Sequence, residues 1–431
     1  MIKARPYLSA LIACLLAAAG AFAGVKVPDW ILREKFVRAC ADGDTATVKK
    51  LLDEGVAADS RDLFGQPAIF RAVGWRADYD QQVEILRLLL AAGVDINTRN
   101  EFGSTPIFIT AGNHYRPSPP HLFLLSRGAD RDVKDNWGLV FEQRPEYSLF
   151  VKPKPDEEAW RLLLEGDLGQ LDEEQAKLPR HSNSATFGMA MAYYDVDLRV
   201  PDGLIDEFEV DSNGDTLLFY KASRLRFGAN EFDTPNPRLA NVQNKAGETA
   251  LIRAAMFDND LYILKLIGMG ADPNIRDKAG HTALWYTAKY DHFMSTLNLL
   301  GTADAGIAEA DGTTPLILAA KLGNLRSVMA FATAKQISKT PAPQSKLPKY
   351  YQNATQAILA RMRSIDPDIP DSRGRTALMY AAEAGHADIV KALLIMGSTR
   401  SKRDREGKSA ADLARAAGKR DILKLLTVRS R

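Results

Sequence analysis

Between Gly374 and Gly397 the chain reads GRTALMYAAEAGHADIVKALLIMG, and its apolar residues recur at helical rather than alternating spacing. Ala377, Leu378, Ala381 and Ala382 share one face of a short helix, with Thr376 placed to cap its start. Gly385 is placed to end that helix in a left-handed conformation. Ile389, Val390, Leu393 and Leu394 then form a second stripe, closed by Gly397, and Leu393 and Leu394 are expected in the core. The pattern predicts two short antiparallel helices. Each is apolar on a face that its partner alone leaves uncovered, so the unit calls for stacked copies of itself.

Copies recur along the chain. A turn of the form Asp/Asn-x-x-Gly-x-Thr/Ser repeats with glycines at 65, 103, 214, 247, 280, 312, 374 and 407, and Gly138 sits in a related DNWGLV. Three intervals (214 to 247, 247 to 280, 374 to 407) are 33 residues and one (280 to 312) is 32. Matching helix starts follow in TPIFITA (105–111), TALIRAA (249–255), TALWYTA (282–288), TPLILAA (314–320) and TALMYAA (376–382). Second helices close in LLLAAGVDIN (88–97), LLSRGADRD (124–132) and LIGMGADPN (266–274).

Period, turn and both helices together resemble the ankyrin repeat family. The resemblance covers roughly residues 33–138 and 211–427, and it implies an all-α solenoid with hairpin-like turns and an irregular middle segment. It also implies a protein-recognition scaffold with no cofactor and no catalytic residue. Two departures stand out. The family's histidine after Thr-Pro-Leu is replaced by Phe108, Ile252, Trp285, Ile317 and Met379, which predicts heavier reliance on apolar packing. The intervals 138 to 214 and 312 to 374 are 76 and 62 residues, so each is expected to hold a degenerate or interrupted unit.

The expected organisation is a signal peptide (1–23), N-terminal repeats (24–138), a degenerate repeat or insertion (139–210), central repeats (211–335), a loop-and-helix insertion (336–370), and C-terminal repeats with a cap (371–431). Neighbour-to-neighbour stacking would make one elongated superhelix.

The N-terminus sets the expected compartment. Lys3 and Arg5 precede an apolar run and then Ala21-Phe22-Ala23, which reads as a signal peptide cleaved between Ala23 and Gly24. The expectation is a periplasmic or secreted protein. The alternatives are an uncleaved membrane anchor or lipidation on Cys14 in LIAC. Cleavage would leave Cys40 as the one thiol, in an alanine-sized place that reads as structural.

Charge is uneven beneath a net of +2. Residues 155–215 hold 16 Asp/Glu against 4 Lys/Arg, whereas 398–431 hold 11 Lys/Arg against 4 acids. The basic end reads as the polar outer face of a terminal repeat, and export argues against a nucleic-acid partner.

Candidate chemistry is sparse. The string DSNGDT (211–216) resembles half of a calcium loop, but Tyr220 stands where a bidentate glutamate would be needed, so the repeat turn is the better reading. Acids at Asp195, Asp197, Asp206 and Glu207 leave an enzyme in 139–210 as the competing class. The sharper signal is aromatic: Phe64, Phe102 and Trp137 precede the glycine in three successive turns. With Tyr115 and Arg116 in the Pro-stiffened loop NHYRPSPPH (113–121), they form the candidate partner surface. The expected partner is another protein outside the cytoplasm, which the chain holds as an adaptor or as an immunity-type inhibitor of a toxic enzyme.

Overall fold

In the computed structural model the described residues are 29–62, 64–73, 78–110, 118–136, 160, 189–190, 209–223, 237–339 and 349–427. The signal segment and nearly all of 139–210 lie outside them. The chain divides into two compact units that meet in sequence near residues 233 and 234.

The first unit contains α1 (Asp29–Asp42), α2 (Thr45–Asp53), α3 (Ala68–Ala72), α4 (Tyr79–Ala91), α5 (Pro106–Thr110), α6 (Pro119–Ser126) and α7 (Leu217–Ala222). Helices α1, α3 and α5 pack in one row, and α2, α4 and α6 in a second. Between the rows lies a core that includes Phe36, Val48, Ile69, Ile85, Leu86, Leu89, Phe108 and Leu124. Cys40 is fully buried in this core, and burial drives its thiol far above the ordinary range.

The second unit contains α8 (Ala250–Met256), α9 (Asp260–Gly268), α10 (Ala283–Lys289), α11 (Phe293–Leu300), α12 (Pro315–Leu322), α13 (Leu325–Ile337), α14 (Lys349–Arg363), α15 (Ala377–Ala384), α16 (Ala387–Met396), α17 (Ala410–Ala416) and α18 (Arg420–Thr427). An inner row runs α8, α10, α12, α15, α17, and an outer row runs α9, α11, α13, α16, α18. Among the described residues no strand forms, only isolated bridges at Arg61–Pro67 and Arg403–Ser409. The fold is an all-α solenoid.

Helix α14 belongs to neither row. It lies against α13, where Lys335 donates through Nζ to the carbonyls of Arg363 (2.7 Å) and Ile365 (2.6 Å), and Arg363 Nε donates to the Ser338 carbonyl (2.9 Å). The inner row passes directly from α12 to α15, so the 62-residue interval holds one repeat with an added helix.

Caps follow the sequence in most repeats. Thr249, Thr282 and Thr314 each accept the N–H three residues on through their hydroxyl (3.2–3.3 Å). Thr376 takes the same backbone position, yet its hydroxyl makes no cap bond and is buried without a partner. Gly385 and Gly397 end α15 and α16 in the left-handed region. Leu393 is fully buried, whereas Leu394, expected beside it in the core, is only half-buried. The helical stripe is narrower than the apolar run, and Leu394 and the exposed Ile395 fall at its edge.

Candidate protein-binding surface

Each turn is built by its first residue. The side chains of Asp62, Asn100, Asp211, Asn244, Asp277, Asp371 and Asp404 accept N–H groups two and four residues on, all at 2.8–3.0 Å. An oxygen one methylene from the backbone reaches both donors, which is why Asp and Asn are selected here. Glu309 is too long for this role, and in its turn Asp311 accepts from Thr313 N–H instead (2.8 Å). Asp211 serves as a turn residue of the same kind, as the repeat reading of DSNGDT requires.

Consecutive turns are tied together through the backbone. Lys278 N–H donates to Ala246 O (2.9 Å), Ser372 to Asp311 O (2.8 Å), Arg405 to Arg373 O (2.9 Å) and, in the first unit, Asn136 to Phe102 O (2.9 Å). The close approach needs glycine: at Gly247 φ is +79°, and a Cβ there would lie 2.7 Å from Lys278 N. Where the residue before the turn is Arg or Gln, it adds a second tie. Arg276 Nη1 donates to Gly280 O (3.4 Å) and to Ala308 O of the next repeat (3.0 Å), and Gln243 Nε2 bonds Gly247 O (2.6 Å) and Arg276 O (3.0 Å) in the same register.

The family histidine has a substitute that the sequence reading missed. Its place holds buried apolar residues, as expected, but the next residue is Tyr220, Tyr286 or Tyr380 in three repeats. Each tyrosine hydroxyl donates to the aspartate nine places earlier, at 2.8 Å for Asp211 and 2.6 Å for Asp277, and to Asp371 likewise. The signal was present as a tyrosine at fixed distance from the turn aspartate. Burial and this bond push the Tyr286 hydroxyl far above its usual range, and burial followed by the Asp371 bond pushes Tyr380 up to about 12.

Around Trp285 a denser cluster forms. His281 stacks on the indole at 3.6 Å, Lys289 Nζ lies 4.6 Å over it, and the indole N–H donates to Glu309. Burial lowers the pKa of both His281 and Lys289, despite the neighbouring Asp277 and Glu309 carboxylates. These groups are engaged with one another and half or fully buried, which makes the cluster part of the inner packing. Among the described residues no group of three or more His, Cys, Asp or Glu is arranged to hold a metal.

The aromatic tip series does not survive as a surface at Phe64. Its ring is 2% exposed, packed against Trp160 (6.3 Å between centroids) and Tyr220 (6.0 Å). Those partners come from the acidic middle segment and from a repeat remote in sequence, so stacking in the first unit is not confined to successive repeats. Phe102 is half-buried at the neighbouring tip. Tyr115, Arg116, Trp137, Ala23 and Gly24 lie outside the described residues, as do Cys14 and the acids Asp195, Asp197, Asp206 and Glu207.

What remains at the tips of the second unit is polar and variable. Lys245-Ala246, Lys278-Ala279, Ala310-Asp311, Ser372-Arg373 and Arg405-Glu406 occupy equivalent places and are exposed. A constant frame carrying variable exposed residues on stacked helix pairs defines a repeat solenoid of the recognition type. The ankyrin-repeat family profile matches residues 251–340 and 349–430. An ankyrin repeat-containing protein of Schizosaccharomyces pombe is 32% identical over 105 residues, which are 24% of this chain and 46% of that protein. The chain thus spans about half the length of this curated relative. The matched segments of this chain, residues 251–340 and 349–430, are ankyrin repeats.

Proposed function

We propose that the chain is an exported scaffold that holds another protein, as an adaptor or as an inhibitor of the immunity type. Ankyrin repeats are protein–protein interaction scaffolds, and one observation carries the reading here. The turns are completed by Asp and Asn side chains, glycines and backbone bonds, so the tip residues are released to differ between repeats without cost to the frame. Export is supported by the charged start, apolar run and Ala-Phe-Ala of the first 23 residues.

The test is affinity capture with the full chain from the exported fraction, together with N-terminal sequencing of the mature protein. The expected result is a start at Gly24 and one stoichiometric protein partner. Hydrolytic activity of the purified chain alone, without a captured protein, would replace the scaffold with an enzyme. A blocked terminus lipidated on Cys14 would replace the soluble form with an anchored one.

A further inference from the structure

The C-terminal repeat carries more positive charge than a polar cap requires. A cap needs polarity, which a balanced mixture of charges supplies, whereas an excess of one sign costs self-repulsion. All four acids of 398–431 are already matched: Asp404 with Arg375 (3.2 Å), Glu406 with Lys408 (2.8 Å), Asp412 with Arg415 (2.9 Å) and Asp421 with Lys424 (3.2 Å). Lys402 Nζ donates to Asp368 O (2.8 Å) and Arg403 Nη1 to Gly407 O (2.6 Å), so these two cations serve the turn backbone.

Arg373 and Arg405 are different. Both are exposed on consecutive turn tips, and among the described residues neither guanidinium has an ion pair or hydrogen bond. Their backbones are joined by Arg405 N–H to Arg373 O, and the Arg405 stem lies over Gly374, where a Cβ would come 3.3 Å from its Cγ. The fold therefore sets two like charges without an ion pair on adjacent turns, whereas Arg403 is paired with Asp412 (3.5 Å).

We propose that these last two turns bind an acidic stretch of a protein partner, with Arg373 and Arg405 meeting its carboxylates. This rests on the scaffold reading above. Several features favour a polypeptide over a polyphosphate. Glu406 (65% exposed side chain) follows Arg405 on the same turn tip and would repel a continuous row of phosphates, whereas a peptide can place a neutral residue opposite it. No aromatic ring is exposed among the described residues of this end to stack a base, since Tyr380 is covered by Lys321 (4.5 Å) and Arg375 (5.7 Å). Guanidinium forks also match carboxylates in paired hydrogen bonds.

The experiment is fluorescence anisotropy with the full chain and a labelled peptide of alternating Glu and Ser. Arg373→Glu/Arg405→Glu should weaken binding by about tenfold or more, with added salt weakening the parent toward the variant. Lys49→Glu/Lys339→Glu, which makes the same change in net charge at other exposed sites, should stay within about twofold. An Arg373→Ala/Arg405→Ala variant with an unchanged melting curve guards against misfolding. Equal binding by the parent and the reversal variant would overturn the proposal. So would equal weakening in the control, or preference of the parent for a DNA duplex or phosphatidylserine vesicles at matched charge. In protein capture, a parent that captures nothing sinks the scaffold reading. A reversal variant that captures the partner as well as the parent sinks this assignment alone.

Discussion

Tyr286 concentrates the fold's least expected choice in one side chain. Its hydroxyl reaches Asp277 at 2.6 Å while the same carboxylate group holds two turn N–H groups through its other oxygen. Tyr286→Phe should cost about 1.5–3 kcal/mol in urea unfolding, the range for a bond to a charged acceptor. An unchanged midpoint would show that the turn closes without the tyrosine. Asp291 offers a second test. It adopts φ +60°, where Gly323 and Gly385 serve in later repeats, and its carboxylate accepts the Ser327 N–H of the next repeat at 2.7 Å. Asp291→Ala keeps the left-handed strain and loses the bond, so it should destabilise by about 1–3 kcal/mol, and more than Asp291→Gly, which relieves the strain. The tyrosine's role left a trace in its fixed spacing from the turn aspartate, whereas the role of Asp291 left none. A tyrosine on an apolar face reads as packing, and an aspartate before a histidine reads as a loop, because the partners are set by the stack.

At the level of the element, the helix pairs were legible and their exceptions were not. Thr-Ala-Leu and Thr-Pro-Leu mark helix starts because the hydroxyl caps and the small or rigid second residue enters the first turn without strain. The identity of the buried leucine depends on rotation of α16 against α13, which no run of apolar letters specifies. Leu393→Ala should therefore destabilise by about 2–5 kcal/mol, with loss of hydrogen-exchange protection greatest in α15 to α18. Equal loss of protection throughout 237–427 would contradict neighbour-limited coupling. The start of α17 supplies an acid-sensitive cap. Ser409 and Asp412 form a reciprocal capping box, and bonds from the Ser409 hydroxyl and N–H hold the Asp412 carboxyl down to about 2. A depressed carboxyl contributes stability that is present above its unfolded value near 3.8 and lost as pH falls through about 2. Circular dichroism between pH 5 and pH 2 should show the α17–α18 pair losing stability in the parent as Asp412 protonates, with a smaller pH-dependent change in Asp412→Asn, which does not titrate.

Over the whole molecule, period and turn chemistry revealed the repeats, but not which surface is available. Phe64 illustrates the difference: its exposure depends on Trp160 and Tyr220, and nothing near it in sequence announces either. Phe64→Ala should lower stability by about 3–5 kcal/mol as a buried-ring deletion and leave partner capture by the second unit unchanged. Loss of capture at full stability would return the ring to the binding surface. The histidines give the chain a shared pH response. Burial lowers the pKa of His121, His281 and His386, with nearby cations adding to the effect at His121 and His386. A lowered imidazole favours the folded state above its unfolded value near 6.5, and that contribution falls as pH drops toward the folded value. The melting temperature should thus be lower at pH 5.5 than at pH 7.5, and replacing all three histidines with glutamine should flatten the difference.

The backbone bonds between turns have a direction, opposite to the side-chain ties from Gln243 and Arg276, which donate forward. Asn136, Lys278, Ser372 and Arg405 each donate backward, to a carbonyl of the turn that precedes them in the chain. A polypeptide delivered N-terminus first, from a ribosome or through a membrane pore, thus meets each of these backbone acceptors already in place when its donor arrives. Every completed turn becomes the template for the next, and the stack can zip in the order in which it emerges. A chain that must fold without waiting for its own C-terminus gains most from that polarity.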